Sequence, residues 1–387
     1  MFDATTIEIH AEALRRNLAF IRDILGDRTT LCSVVKGNAY GHGLGTFVPL
    51  AESFGVERFA VYSASEAYEL MRHVSNGPDV YIMGDVPDDA LDWAVEEGIS
   101  FNAFEQVRLH RAIRTAKKLG RKARVHLEVE TGMHRTGFTL EDLPAVLDRC
   151  TEHVDRIEVV GICTHLAGAE NQANAFRIDE QKANYKRALE LVEASRVPMP
   201  MRHVACSAAM LNEPDVLYDM ARIGILQYGF WPNKETEVRY RKTHGITEDP
   251  LRRLIRWRGR VISTGSVQRG SFVGYGTSYF AQDDLRLAVV PVGYAFGYAR
   301  SLSNSGHVLV RGQRAPVRGI VNMNCITIDI TGIEGVEIGD EVVLIGEQDG
   351  KSVSVASFGE LSDQLNYELL TRLPHDIPRV VVDEPLD

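Results

Sequence analysis

Eight short apolar runs recur in about the first 230 residues, most of them separated by helical patterns. Few folds accommodate that alternation. The runs lie around Leu31–Val35, Phe59–Tyr62, Val80–Met83, Ile99–Phe101, Val125–Val129, Val159–Cys163, His203–Cys206 and Ile223–Leu226. Between them, stretches such as Glu105–Leu119 and Ile178–Ala194 carry helical spacing, and Leu14, Leu18, Ile21 and Leu25 precede the first run on one helical face. Eight βα units of this length predict a (β/α)8 barrel. A doubly wound open sheet is the other architecture the alternation permits, but no GxGxxG follows the first strand.

Near residue 235 the texture changes. Lys234–Arg260 is polar and basic, which predicts a solvated face or linker. Beyond it Leu287–Val292, His307–Val310, Val317–Val321, Ile326–Ile330 and Val342–Ile345 are rich in Val and Ile and punctuated by Gly, Asp and Asn. The expected organisation is α/β: an N-terminal (β/α)8 TIM-type barrel over residues 1–245, followed by a mostly-β C-terminal domain over 246–387.

A net charge of −10 argues against nucleic-acid binding, which needs a basic face. No apolar run is long enough to span a membrane, and the N-terminal residues lack the basic and apolar segments of a signal peptide. The cysteines at 32, 150, 163, 206 and 325 form no CxxC pair, so reduced thiols in a cytoplasmic protein are expected. No His/Cys/carboxylate cluster has zinc spacing, and no metal is expected.

The chemistry concentrates where a barrel keeps its active site, at the C-terminal ends of the strands. Lys36 ends the first apolar run and opens the glycine-rich turn Gly37-Asn38-Ala39-Tyr40-Gly41-His42-Gly43. A cation there is costly unless it is paired, deprotonated or used covalently. Glu128 and Arg135 flank the fifth strand, His165 ends the sixth, Ser207 follows the seventh, and Arg222, Gly224 and Ile225 lie at the eighth. Ser207 and the Gly224-Ile225 backbone fall where barrels hold phosphate, although Ser207 reads equally as a helix N-cap. Phosphate at one end and lysine at the other suit pyridoxal phosphate, whose aldehyde condenses with a lysine and whose ring accepts electrons.

Carried on these residues, the chain resembles the alanine racemase family of fold-type III pyridoxal-phosphate enzymes over nearly its whole length. The motifs are Val34-Val35-Lys36-Gly37-Asn38-Ala39-Tyr40-Gly41-His42-Gly43, Thr131-Gly132-Met133-His134-Arg135-Thr136-Gly137-Phe138, Thr164-His165-Leu166-Ala167, Ser207-Ala208-Ala209, Arg222-Ile223-Gly224-Ile225, Gly274-Tyr275-Gly276 and Pro291-Val292-Gly293-Tyr294. The resemblance implies that Lys36 holds pyridoxal 5'-phosphate and is one acid/base group. Tyr275, reaching into the partner subunit of a homodimer, is the other. It implies that Tyr40, Ser207, Gly224 and Ile225 bind the phosphate and that Arg222 meets the pyridine nitrogen. Arg135 would orient the cofactor's phenolic oxygen and the substrate carboxylate, Met323 would hold that carboxylate through its N–H, Tyr294 would line the amino-acid substrate, and His165 would stack against the ring and link Tyr275 to Arg222. Two bases suit racemisation, because the proton leaves one face of Cα and returns to the other. Arg222 cannot usefully give up its proton; it would leave the pyridine nitrogen unprotonated and favour reprotonation at Cα over transamination. His42 and His203 read as structural.

Five positions depart from the family pattern. Glu128 stands where many members carry a modified lysine, and is expected to pair with Arg135. Cys206, Phe296, Asn324 and His375 stand where asparagine, aspartate, an acidic residue and tyrosine are usual. The expected activity is racemisation of alanine by a two-base mechanism. Serine, lysine or a broader set of amino acids are alternatives, as is a fold-type III decarboxylase. A non-enzymatic cofactor-binding role is disfavoured because small single-domain relatives lack Tyr275.

Overall fold

The computed structural model describes residues 5–355 and 366–383, which fall into two compact units. Strands are numbered along the chain. β1 (Thr5–His10) belongs to the second unit below.

The first unit, Leu14–Gly37 with Val48–Arg252, is the barrel. Its strands are β2 (Thr30–Val34), β3 (Arg58–Val61), β4 (Asp79–Ile82), β5 (Ser100–Ala103), β6 (Ala123–Glu128), β7 (Ile157–Cys163), β8 (Met201–His203) and β9 (Met220–Ile223). They pair in parallel in the order β8-β7-β6-β5-β4-β3-β2-β9. The ring is nearly closed by Asp219 N–H on the Arg202 carbonyl (3.0 Å) and Arg222 N–H on the Ala205 carbonyl (2.9 Å). Buried on both faces, the strands read as near-continuous apolar runs, which is why they stood out in the sequence. Helices Ala64–Met71, Asp88–Glu96, Gln106–Leu119, Leu143–Glu152 and Ala175–Ala194 lie between them. Ser63 and Glu66 form a capping box at the first, and Gly120 ends the third in a left-handed cap, so these boundaries are written locally.

Two expectations shift at the end of the barrel. The eighth run, Ile223–Leu226, touches β9 only at its first residue, because the chain leaves the strand at Gly224 and Ile225–Tyr228 forms a 3-10 turn. The seventh, His203–Cys206, likewise begins where β8 ends. Apolar side chains continue past each strand because the turn is buried too.

The second unit contains the described residues of Met1–Ala13, Asn38–Phe47 and Arg253–Asp387. Its strands are β10 (Ile255–Arg260), β11 (Ser263–Val267), β12 (Leu285–Val290), β13 (His307–Val310), β14 (Gln313–Pro316), β15 (Ile326–Asp329), β16 (Glu341–Gln348), β17 (Lys351–Val353) and β18 (Arg379–Val382). One sheet runs β14-β13-β16-β10-β1-β18 with β17 on β16; a second runs β11-β12-β15. A break at residue 245 puts β1 and 38–47 with the barrel, whereas in the structure they cluster with the β strands. The reason is β1, which lies between β10 and β18 with Ile7 and Ile9 fully buried and Glu8 bonded to Arg256 and Arg258. The basic stretch Lys234–Arg260 is therefore not simply a linker. Lys234–Thr243 is a helix, and the arginines of β10 neutralise Glu8 and Glu341 around a buried Trp257. Val317–Val321 contributes only an isolated bridge, Val317 to Ile328. Among the described residues no helix is long and apolar enough to cross a membrane.

Candidate active site

Lys36 follows β2 at the barrel's C-terminal end. Beneath it Gln227, fully buried, donates to the Val34 carbonyl (3.0 Å) and accepts from Ser33 Oγ (2.7 Å), which fixes the end of the strand. The next turn is left-handed: Gly37, Asn38, Ala39 and Tyr40 have φ of 63°, 55°, 53° and 51°. Each non-glycine residue in that conformation costs roughly 1–2 kcal/mol. Local bonds offset the cost: Gly37 N–H to Glu66 Oε1 (2.6 Å), Leu44 N–H to Asn38 Oδ1 (2.8 Å), Gly43 N–H to the Asn38 carbonyl (2.9 Å), and His42 Nδ1 at 3.0 Å from the Ala39 carbonyl. His42 is thus structural, and burial pushes its pKa down to about 4. Gly41 has no alternative, since a Cβ there would lie 1.8 Å from the Leu370 carbonyl oxygen.

The Lys36 side chain remains open to solvent in the barrel mouth, yet protein crowds around it. That crowding, with the charges of Arg135 and Arg222, lowers its pKa and favours the neutral amine; Glu66 opposes the shift.

Arg222 lies buried on β9. Nη1 donates to His203 Nδ1 and to the His203 carbonyl (2.8 Å); Nη2 donates to the carbonyls of Thr164 (2.8 Å) and Val204 (3.4 Å). Among the described residues its Nε–H has no partner and it makes no ion pair. The guanidinium keeps its full charge and one free donor. Ser207 opens the helix Ser207–Asn212 with Cys206 as N-cap, and its Oγ accepts from Gly224 N–H (3.1 Å), which ties the ends of β8 and β9 together. Ile225 opens the 3-10 turn that follows.

Arg135 is exposed, and its side chain has no partner among the described residues. The expected pair with Glu128 is not formed. Glu128 is buried and spends its oxygens on Thr136 Oγ1 (3.0 Å) and Asn102 Nδ2 (3.1 Å), while burial raises its pKa against the pull of those bonds and of the Arg135 charge. The carboxylate that shapes the Arg135 turn is Glu130, which accepts the Arg135 N–H (3.2 Å). Burial alone would raise the Glu130 pKa, but backbone N–H groups from His134, Gly132, Arg135 and Met133 outweigh it and hold the carboxylate ionised.

His165 is half-buried, and burial plus the charges of Arg222, Arg135 and Lys36 push its pKa down to about 3, so it is neutral. Gln181, fully buried, holds this loop by donating to the His165 carbonyl (2.9 Å) and accepting from Ala167 N–H (2.8 Å). Neither Gln181 nor Glu130 was identified from sequence. Each holds backbone, a role with no spacing signature, although Glu130 two residues before Gly132 is a local hint.

In the β unit Tyr275 sits at a hairpin tip between Phe272 and Phe280 and is 74 % exposed, with no partner for its hydroxyl among the described residues. Tyr294 and Met323 are brought together: Tyr294 N–H donates to the Asn322 carbonyl (3.0 Å) and Ala295 N–H to the Met323 carbonyl (2.9 Å). Gly293 is required there, because a Cβ would lie 2.1 Å from the Asn322 oxygen. Both side chains are exposed, and the Met323 N–H has no partner among the described residues.

The family models named alanine racemase, N-terminal domain, and alanine racemase, C-terminal domain, match residues 9–232 and 254–381. The chain belongs to the alanine racemase family. It is an isomerase of that family. It is 32% identical to the alanine racemase of Halothermothrix orenii, over 97% of this chain and 96% of that one. The alanine racemase of Clostridium difficile 630 superposes with a TM-score of 0.90 at 28% identity, covering 99% of this chain and 97% of that one. The alanine racemase from Bartonella henselae, solved with covalently bound pyridoxal phosphate, does so with a TM-score of 0.84 at 25% identity, covering 98% and 100%.

Within the alanine racemase frame the departures fall on surroundings rather than on the cationic set. Cys206 caps its helix without a side-chain hydrogen bond, Phe296 is half-buried in the turn Tyr294–Phe296, and Asn324 and His375 are exposed.

Proposed function

We propose that this chain interconverts L- and D-alanine with pyridoxal 5'-phosphate by a two-base mechanism, Lys36 and Tyr275 being the bases. The observation that carries the reading is the barrel's donor set: an accessible lysine biased toward its neutral form beside a buried arginine with one unused N–H. The set fits this cofactor. Ser207 Oγ with the Gly224 N–H bonded to it, the Ile225 N–H at the start of the 3-10 turn, and Tyr40 would hold a phosphate. The Arg222 Nε–H would meet the pyridine nitrogen, and Arg135, which makes no ion pair among the described residues, would meet the phenolic oxygen and the substrate carboxylate. When bound, pyridoxal phosphate supplies an aldehyde that condenses with an amine and a ring that draws electrons from Cα.

The remaining work falls to side chains. Lys36 Nζ is the attachment point and moves the proton on one face of Cα. Its pKa is lowered by burial and by the charges of Arg135 and Arg222, the direction that favours an amine acting as a base. Tyr275 serves the other face, supplied by the partner subunit of a homodimer. Its exposure, beside exposed Phe272 and Phe280, supports that reading. Met323 N–H would hold the carboxylate, Tyr294 would line the amino acid, and neutral His165 would pack against the ring without adding charge. Arg222, which retains its proton, would leave the pyridine nitrogen unprotonated and steer the reaction toward reprotonation at Cα. Five free cysteines support a reducing, cytoplasmic location.

Purified enzyme with cofactor, incubated with each L-amino acid in D2O and resolved by chiral chromatography, tests this. D-alanine appearing fastest with deuterium at Cα is expected. Faster turnover of serine or lysine would move the substrate, and no racemisation of any amino acid would overturn the reading.

A further inference from the structure

We infer that His203, His126 and Ser100 are positioning residues, a one-way hydrogen-bond chain across the barrel interior that fixes how Arg222 presents its unused N–H. The inference rests on the proposed placement of Arg222 at the pyridine nitrogen.

From Arg222 on β9 the chain passes to His203 Nδ1 on β8. His203 Nε2 lies 2.8 Å from His126 Nδ1 on β6. His126 Nε2 lies 3.2 Å from Ser100 Oγ on β5, which donates to the Val80 carbonyl on β4 at 3.2 Å. Both ends are obligate: a guanidinium only donates and a carbonyl only accepts. Every group between them is therefore fixed. His203 accepts at Nδ1 and donates from Nε2, His126 does the same, and Ser100 passes the last proton outward. All four side chains are buried, with His203 and Ser100 fully so. Burial first, then nearby arginines, keep both imidazoles neutral, His126 being pushed down to about 3.

Two further observations mark the chain as built. Gly161 on β7 sits against the histidine pair, and a Cβ there would lie 2.0 Å from His126 Nδ1 and 2.8 Å from His203 Nε2. A glycine inside the apolar run Val159–Cys163 thus makes the room for that bond. Tyr81 covers the pair, its ring centroid 4.2 Å from that of His126 and 5.7 Å from that of His203. The consequence concerns charge. A buried arginine usually faces a carboxylate, which would cancel its field. Here two aligned imidazole dipoles and three carbonyls solvate Arg222 instead. Its cation stays undiminished and its plane is pinned.

Holoenzyme variants test the role. Glutamine at 126 can accept and donate at once; leucine can do neither. His126→Leu is expected to lower kcat about tenfold, with KM for alanine within about twofold, and to raise pyruvate release by transamination about tenfold per turnover. It should also shift the absorbance of the bound cofactor, and His126→Gln should recover most of each change. Independently, 15N shifts of wild-type ring nitrogens should place the proton on Nε2 of both His203 and His126. Should His126→Leu fail to fold, Ser100→Ala and Gly161→Ala interrupt the same chain. A proton on His203 Nδ1, or a broken chain with wild-type spectrum and partition ratio, overturns the proposal. Wild-type protein that neither binds pyridoxal phosphate nor racemises alanine would instead overturn the reading of the site on which it rests.

Discussion

Around Arg222 almost every polar atom is committed: both terminal nitrogens are bonded, His203 and His126 are bonded at both ring positions, and Gln181 and Gln227 hold the neighbouring backbone. Around Tyr275 the reverse holds. Its hydroxyl and the Met323 N–H have no partner among the described residues, and the side chains of Tyr275, Met323, Tyr294, Phe272 and Phe280 are exposed. The barrel residues are prearranged, which costs desolvation and must be balanced by bonds in the empty enzyme. The β-unit residues carry no such cost, so their activity and their stability should separate. In the barrel the two should move together.

Four substitutions sharpen that contrast. Lys36→Ala should abolish racemisation, a loss on the order of 10⁴-fold or more, because it removes both attachment point and base; D-alanine formation by chiral chromatography reads it. Tyr275→Phe should cost on the order of 10²–10³ in kcat while leaving unfolding free energy within about 0.5 kcal/mol, as for an exposed side chain. It should also suppress Cα–H exchange from one enantiomer more than from the other. Equal loss from both, or a fall in thermal midpoint, would erase the contrast.

Gln181→Leu should destabilise by about 1–3 kcal/mol through an unpaired Ala167 N–H and His165 carbonyl. Activity should fall with it, as followed by denaturant melts beside kcat. Asp219→Asn at the opposite, N-terminal end of the barrel should cost least. Its carboxylate bonds Arg202 Nε at 2.9 Å and Nη2 at 2.8 Å, but the pair is more than a third exposed, so about 1 kcal/mol or less is expected. The hydrogen bond from Arg202 holds Asp219 below the ordinary carboxylate range. A depressed folded-state pKa stabilises above the unfolded value, near 4, and that gain is lost as pH falls through the folded value. The wild-type advantage over Asp219→Asn should therefore be full at pH 7 and vanish in acid; an advantage unchanged at pH 2 would remove the pair from the account.

Much of this was legible in the chain itself. Parallel strands buried on both faces are predominantly apolar, so the eight runs announced the barrel, and the cationic rim followed from strand ends alone. Lys36 with its glycine-rich turn was legible because left-handed backbone restricts residue choice. β1 was not read from the sequence; strand pairing placed it between β10 and β18 in the β unit, since a strand does not encode its neighbour. Tertiary structure alone decided that Glu128 turns to Thr136 and Asn102 rather than to Arg135: distance along the chain favours the arginine, but burial favours neutral partners that need no exposed charge brought inside. It alone converted His203, which the sequence offers as a core histidine, into a link from Arg222 to Ser100. Hydrogen-bond direction depends on which groups meet across six strands, and no local pattern records that.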